Sequence, residues 1–97
     1  MKVFNTFLTG TTTGIGGAGT QLISTNAKCE QGVQLYTPNN SGIVWIGNSP
    51  HMTVGSGLSS DGFPLYSGES LLLPLRDPNK IYVKSNVGGL SVNWILF

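Results

Sequence analysis

Nowhere along these 97 residues do apolar side chains recur at i, i+3, i+4 over the length of a helix. Short β-type runs closed by turn residues take their place. Gly32–Tyr36 (GVQLY) alternates, with Val33 and Leu35 on one face. Gly42–Gly47 (GIVWIG) is apolar on both faces and reads as a central strand covered on each side. Phe63–Val83 (FPLYSGESLLLPLRDPNKIYV) has the grammar of two antiparallel strands. Ser67-Gly68-Glu69 makes a corner, Ser70–Leu75 an apolar strand, Arg76–Asn79 a tight turn, and Lys80–Lys84 alternates back. Ser85–Gly89 reads as a hairpin turn into Leu90–Phe97, which places Leu90, Val92, Trp94 and Leu96 on one face.

Seven or eight short strands about 8–12 residues apart predict an all-β fold. The expected form is an antiparallel β-sandwich or a jelly-roll-like small barrel with an extended N-terminal arm. The predicted core draws on Val33, Leu35, Val44, Trp45, Ile46, Leu71, Leu73, Ile81, Val83, Val92 and Trp94. Pro74 lacks an amide donor, so Leu71–Leu75 is expected at a sheet edge or a bulge. Asn48–Gly62 is the longest irregular piece, with a short strand expected around Met52–Val54 and a turn at Asp61-Gly62.

Residues 1–20 divide differently. Residues 9–20 are almost all Gly and Thr, and ordering that many glycines is entropically costly. Ahead of them stand Val3, Phe4, Phe7 and Leu8, four large apolar residues that a mere tail has no use for. The expected organisation is a Gly/Thr-rich arm over 1–20 and a β-sandwich domain over 21–97. Val3, Phe4, Phe7, Leu8 and Ile15 are the candidate protein-interface residues on that arm.

Charge sets the limits on function. Nine of the 97 residues are charged, five basic and four acidic, against a usual share of about 25%. No charge falls between Lys2 and Lys28, nor between Glu30 and Asp61. Covering by copies or partners makes surface charge dispensable, whereas a free-living monomer needs it for solubility. With a net charge of +1, neither nucleic acid nor an anionic membrane surface has an electrostatic foothold. The longest apolar run is far short of the roughly 20 residues of a membrane span. Asn5 and Thr6 interrupt what would otherwise open like a signal peptide. Cys29 is the only cysteine, so no disulfide forms within the chain, and oligomerisation is the expected source of extra stability.

Candidate chemistry is sparse. Gly14–Gly19 formally satisfies G-x-G-x-x-G, but the β-type residues after it do not supply the helix that holds a pyrophosphate. His51 is the sole histidine and has no evident nucleophile or co-ligand. Of the acids Glu30, Asp61, Glu69 and Asp77, the last three are each accounted for by a turn or corner. Cys29, between Lys28 and Glu30, reads as a small buried residue. Asn39-Asn40-Ser41 is a formal glycosylation sequon that serves as a turn. No catalytic residue, cofactor or metal is expected. Tyr36, Tyr66 and Tyr82 run out of phase with the core, so some are exposed, suiting either a protein interface or sugar stacking.

Taken together, GVQL at 32–35, GIVWIG at 42–47, FPLYSGESLLLPL at 63–75, KIYV at 80–83 and Val92-Asn93-Trp94 carry a resemblance. The pattern resembles the small β-sandwich capsid decoration (cement) proteins of tailed bacteriophages. The resemblance covers about residues 30–97 and has no catalytic signature. It implies a virion structural protein on the capsid exterior, made in the host cytoplasm, whose partners are the major capsid protein and itself. A homotrimer is expected before a dimer. The alternative is a carbohydrate- or receptor-binding module of a phage tail or fibre.

Overall fold

Alternation and β-branched residues yield eight strands in the computed structural model, which describes residues 8–24, 27–38, 41–51 and 62–97. They are β1 (Leu8–Ile15), β2 (Thr20–Gln21), β3 (Val33–Tyr36), β4 (Val44–Gly47), β5 (Phe63–Leu65), β6 (Ser70–Leu73), β7 (Tyr82–Ser85) and β8 (Leu90–Leu96). One 3-10 turn, Pro78–Lys80, joins β6 to β7. Two four-stranded sheets result, ordered β1-β8-β3-β6 and β2-β7-β4-β5. All neighbours are antiparallel.

The pairing is nested. β1 pairs with β8, β2 with β7, β3 with β6, and β4 with β5. The chain is therefore one long antiparallel double strand, rolled up so that the β3–β8 and β4–β7 seams complete the sheets. That order is the jelly roll. The all-β sandwich expected from sequence is present, with eight strands.

The two inner faces supply the core. β3 reads buried, exposed, buried, exposed, so Val33 and Leu35 point in while Gln34 and Tyr36 point out. Val44, Ile46, Ile81, Val83 and Val92 join them as expected, while Leu71, Leu73 and Trp94 are half-buried against the cluster. Trp45 is buried outside that cluster, on the face of β4 opposite Val44 and Ile46. Ile15, Leu22, Ile23, Cys29, Leu65, Leu90 and Leu96 complete the core. Pro74 follows β6, which is an edge strand, so its missing donor costs no ladder bond.

Two expectations change. First, Phe63–Val83 is not a hairpin: β6 and β7 lie in different sheets. The same holds for β7 and β8, so Ser85–Gly89 is a corner between sheets. Turn residues signal that the chain reverses, but not which strand it meets afterwards.

Second, residues 8–20 run within the sandwich. β1 is a sheet edge along β8, and Thr20–Gln21 is a strand of the other sheet. Thr11, Thr12 and Thr13 favour extended backbone, and β8 offers them a ladder that offsets the cost of ordering Gly10 and Gly14. Gly10 is required for packing: a Cβ there would lie 2.3 Å from the Trp94 ring. The indole N–H donates to Thr12 Oγ1 (3.2 Å), and that hydroxyl donates to the Leu22 carbonyl (2.6 Å). Ile15 is 0% exposed and its carbonyl accepts from Ser85 Oγ (3.0 Å).

The expected strand at Met52–Val54 and Asp61 of the expected turn lie outside the described residues.

The corner at 66–70 is pinned by Thr37, which is wholly buried. Its N–H donates to Glu69 O (2.9 Å), its carbonyl accepts from Gly68 N–H (2.8 Å), and its hydroxyl donates to Tyr66 O. Gly68 takes φ +83°, a left-handed value that disfavours other side chains. Thr37→Val removes the hydroxyl bond, but Tyr66 O keeps its bond from Glu69 N–H (3.0 Å). The expected loss is therefore about 1 kcal/mol, a fall in melting temperature of roughly 4–8 °C by calorimetry.

Candidate interaction surface

Register places the outward residues of the first sheet in rows. Thr9, Ile95, Gln34 and Leu72 lie side by side across β1, β8, β3 and β6. Thr11, Asn93, Tyr36 and Ser70 form the next outward row. Ile95, Leu72 and Tyr36 are 40%, 53% and 44% exposed, so this face carries large apolar groups in water. Thr11 Oγ1 donates to Asn93 Oδ1 (2.8 Å), fixing both at its edge. None of these eight residues is charged.

The pattern extends to the whole sandwich. Lys84 on β7 is the one charged residue on any described strand. Lys28, Glu30, Glu69, Arg76, Asp77 and Lys80 stand in the connections. A face without charges is cheap to desolvate, and charge depletion with exposed aromatics is what the centre of a protein interface looks like.

The acids do the local work expected of them. Glu69 Oε1 accepts from Tyr66 N–H (2.7 Å), closing the corner on itself. Asp77 accepts from Asn79 N–H (3.1 Å) at the start of the 3-10 turn. Lys28 Nζ stands 3.9 Å from Asp77 Oδ2, a surface pair of little energetic weight between an exposed lysine and a half-buried aspartate. Glu30 is exposed, and Asp61 lies outside the described residues.

His51 is exposed, and its backbone N–H donates to Ser49 Oγ (3.1 Å). Cys29 is buried with its thiol directed at Leu75 O (3.0 Å). Burial pushes the thiol pKa up, Asp77 adds to that and Lys28 opposes it, so the nucleophilic thiolate is disfavoured. The Gly14–Gly19 motif leaves β1 and enters β2, a strand where dinucleotide binding needs a helix. Among the described residues, no three His, Cys, Asp or Glu side chains gather into a metal-binding group.

Of the expected interface residues, Val3, Phe4 and Phe7 lie outside the described residues. Leu8 opens β1 and is 56% exposed. Ile15 is core, which removes it from any docking surface. Tyr36 and Tyr66 are exposed, the latter 53%, while Tyr82 is half-buried on β7. Asn39 and Asn40 of the formal sequon lie outside the described residues.

Sequence reasoning missed Ile95, Gln34 and Leu72 as neighbours. The outward phase of Gln34 was readable from β3, but its partners come from strands about 40 and 60 residues away, which only register reveals.

A cavity of about 460 Å³ opens between the β5 and β6 edges, lined chiefly by Ile46, Phe63, Leu71, Leu73, Leu75 and Ile81. It explains why Leu71 and Leu73, directed inward, are only half-buried.

No family model matches the chain, and neither a curated protein nor a solved structure matches it.

Proposed function

We propose that the chain is a virion structural protein, a capsid decoration protein that binds the outer head surface of a tailed bacteriophage. It acts as a homo-oligomer and braces the shell of major capsid protein from outside. The observation that carries the reading is the charge-free outer face of the first sheet, with Ile95, Leu72 and Tyr36 exposed on it. Two further considerations support it. Jelly rolls recur in viral capsid and lectin domains, a fold-level analogy. The strand-and-turn pattern of residues 30–97 resembles that of decoration proteins.

Leu72→Lys with Ile95→Lys tests the reading. Both positions are exposed, so the fold tolerates the charge, whereas a docked face would bury two unpaired ammonium groups. In co-sedimentation with heads stripped of this protein, affinity should fall by about tenfold or more. Unchanged binding by a folded double variant defeats the proposal.

The second reading, a carbohydrate- or receptor-binding module of a tail or fibre, draws on exposed Tyr36 and Tyr66 as stacking platforms. A glycan array separates the two: hits lost on Tyr36→Ala or Tyr66→Ala favour the module, and no hits favour decoration.

A further inference from the structure

Among the described residues the two sheets have four edges, and three are blunted. β2 is two residues long. β5 is three residues long with Pro64 at its centre. β6 is four residues long and runs directly into Pro74. Short edge strands and edge prolines are among the devices that keep sheets from pairing with other chains.

β1 has neither. It spans eight residues, Leu8–Ile15, with no proline and no charge, and it stands at the outside of its sheet. Its register against β8 is regular from Leu8 to Thr12 and shifts only between Thr12 and Ile15. Every second backbone N–H and C=O of that regular stretch points away from β8, and among the described residues the sheet order gives these groups no strand to meet.

We infer that β1 pairs antiparallel with β1 of a second copy, across a two-fold axis at Gly10, giving a dimer whose first sheets join into one of eight strands. The partner is a second copy because the strand is complementary to itself. A register centred on Gly10 sets Thr9 opposite the partner's Thr11, and Thr11 opposite the partner's Thr9, all on the outer face. Opposed threonines are a favourable cross-strand pair, and no like charges meet. Such an interface is isologous and closes at two copies, so this pairing makes a dimer where a trimer is the first expectation from sequence.

The pairing extends the uncharged outer face from one copy onto the next. This deepens the decoration reading and rests on it for its purpose. The contact itself belongs to the purified chain and is measured without any shell.

Sedimentation equilibrium and amide hydrogen exchange on the full chain test it. The wild type should be a dimer at tens of micromolar, with exchange in Leu8–Thr12 slowing as concentration rises. Thr9→Lys/Thr11→Lys and Thr9→Glu/Thr11→Glu should each be monomeric, since like charges then face each other across the axis. Both positions are exposed, so each variant should keep its thermal transition within a few degrees. Mixing the two should restore a dimer.

A monomeric or trimeric wild type overturns the inference, as does a dimer that survives the lysine pair or a mixture that stays monomeric. If the variants fail to fold, concentration-independent exchange of wild-type β1 overturns it alone. Loss of shell binding in a chain that still dimerises counts against decoration and leaves the pairing standing.

Discussion

Removing residues 1–15 should abolish the cooperative thermal transition. The truncation takes away β1, and with it the outer neighbour of β8, the longer of the two strands that pair in the first sheet's interior. It deletes Ile15, wholly buried, and leaves Ser85 Oγ without the Ile15 carbonyl. It also strips Gly10 and Thr12 from beside Trp94, exposing the indole ring and removing the hydroxyl its N–H donates to. A domain of about 100 residues has only roughly 5–15 kcal/mol of stability, and losing one strand of eight exceeds that margin. The measurement is near-ultraviolet circular dichroism with heating. A sharp transition in the truncated chain would mean that β1 is an accessory to the sandwich.

This result governs how any role of the N-terminal tip is tested. Deleting residues 1–20 would confuse loss of binding with loss of fold. A deletion confined to residues before Leu8 removes Val3, Phe4 and Phe7 while keeping β1.

Leu35→Ala should lower stability by about 2–5 kcal/mol, the range for emptying a well-packed leucine site. Leu35 is 0% exposed on β3, which lies between β8 and β6, and its cross-strand partners are Trp94 and Leu71. At about 4–8 °C per kcal/mol, the melting temperature should drop by about 8–40 °C. Leu72→Ala is the matched control. It removes the same atoms from β6 at a position 53% exposed and facing out, so its cost should stay below about 0.5 kcal/mol. A larger cost for Leu72→Ala than for Leu35→Ala would mean that the sheet faces are assigned the wrong way round.

Local pattern carried much of the architecture. The alternation of GVQLY places Val33 and Leu35 inside and Gln34 and Tyr36 outside, and both faces turned out so. Pro74 marked an edge for a chemical reason that the sheet order bears out. Glu69 and Asp77 were legible as turn residues because a carboxylate two or three residues from an N–H has an evident local partner.

What stayed hidden was non-local. Phe63–Val83 looks like a hairpin because its turns reverse the chain. Whether β6 meets β7 or β3 depends on which strand arrives from elsewhere, and here β3 wins. Ile15 looked like part of an arm because Gly and Thr surround it. Its burial depends on a bulge after Thr12 and on the second sheet lying beneath, neither of which Gly14 or Thr13 announces. The outer face was invisible for the same reason: Ile95, Gln34 and Leu72 become neighbours only once three distant strands are in register.

The proposal that the uncharged outer face serves assembly on a capsid shell is tested most directly by the copy number of this chain in phage particles. Quantitative mass spectrometry of purified virions should find the chain in a number comparable with that of the major capsid protein. Absence from the particle, or a few copies confined to the tail, would contradict it.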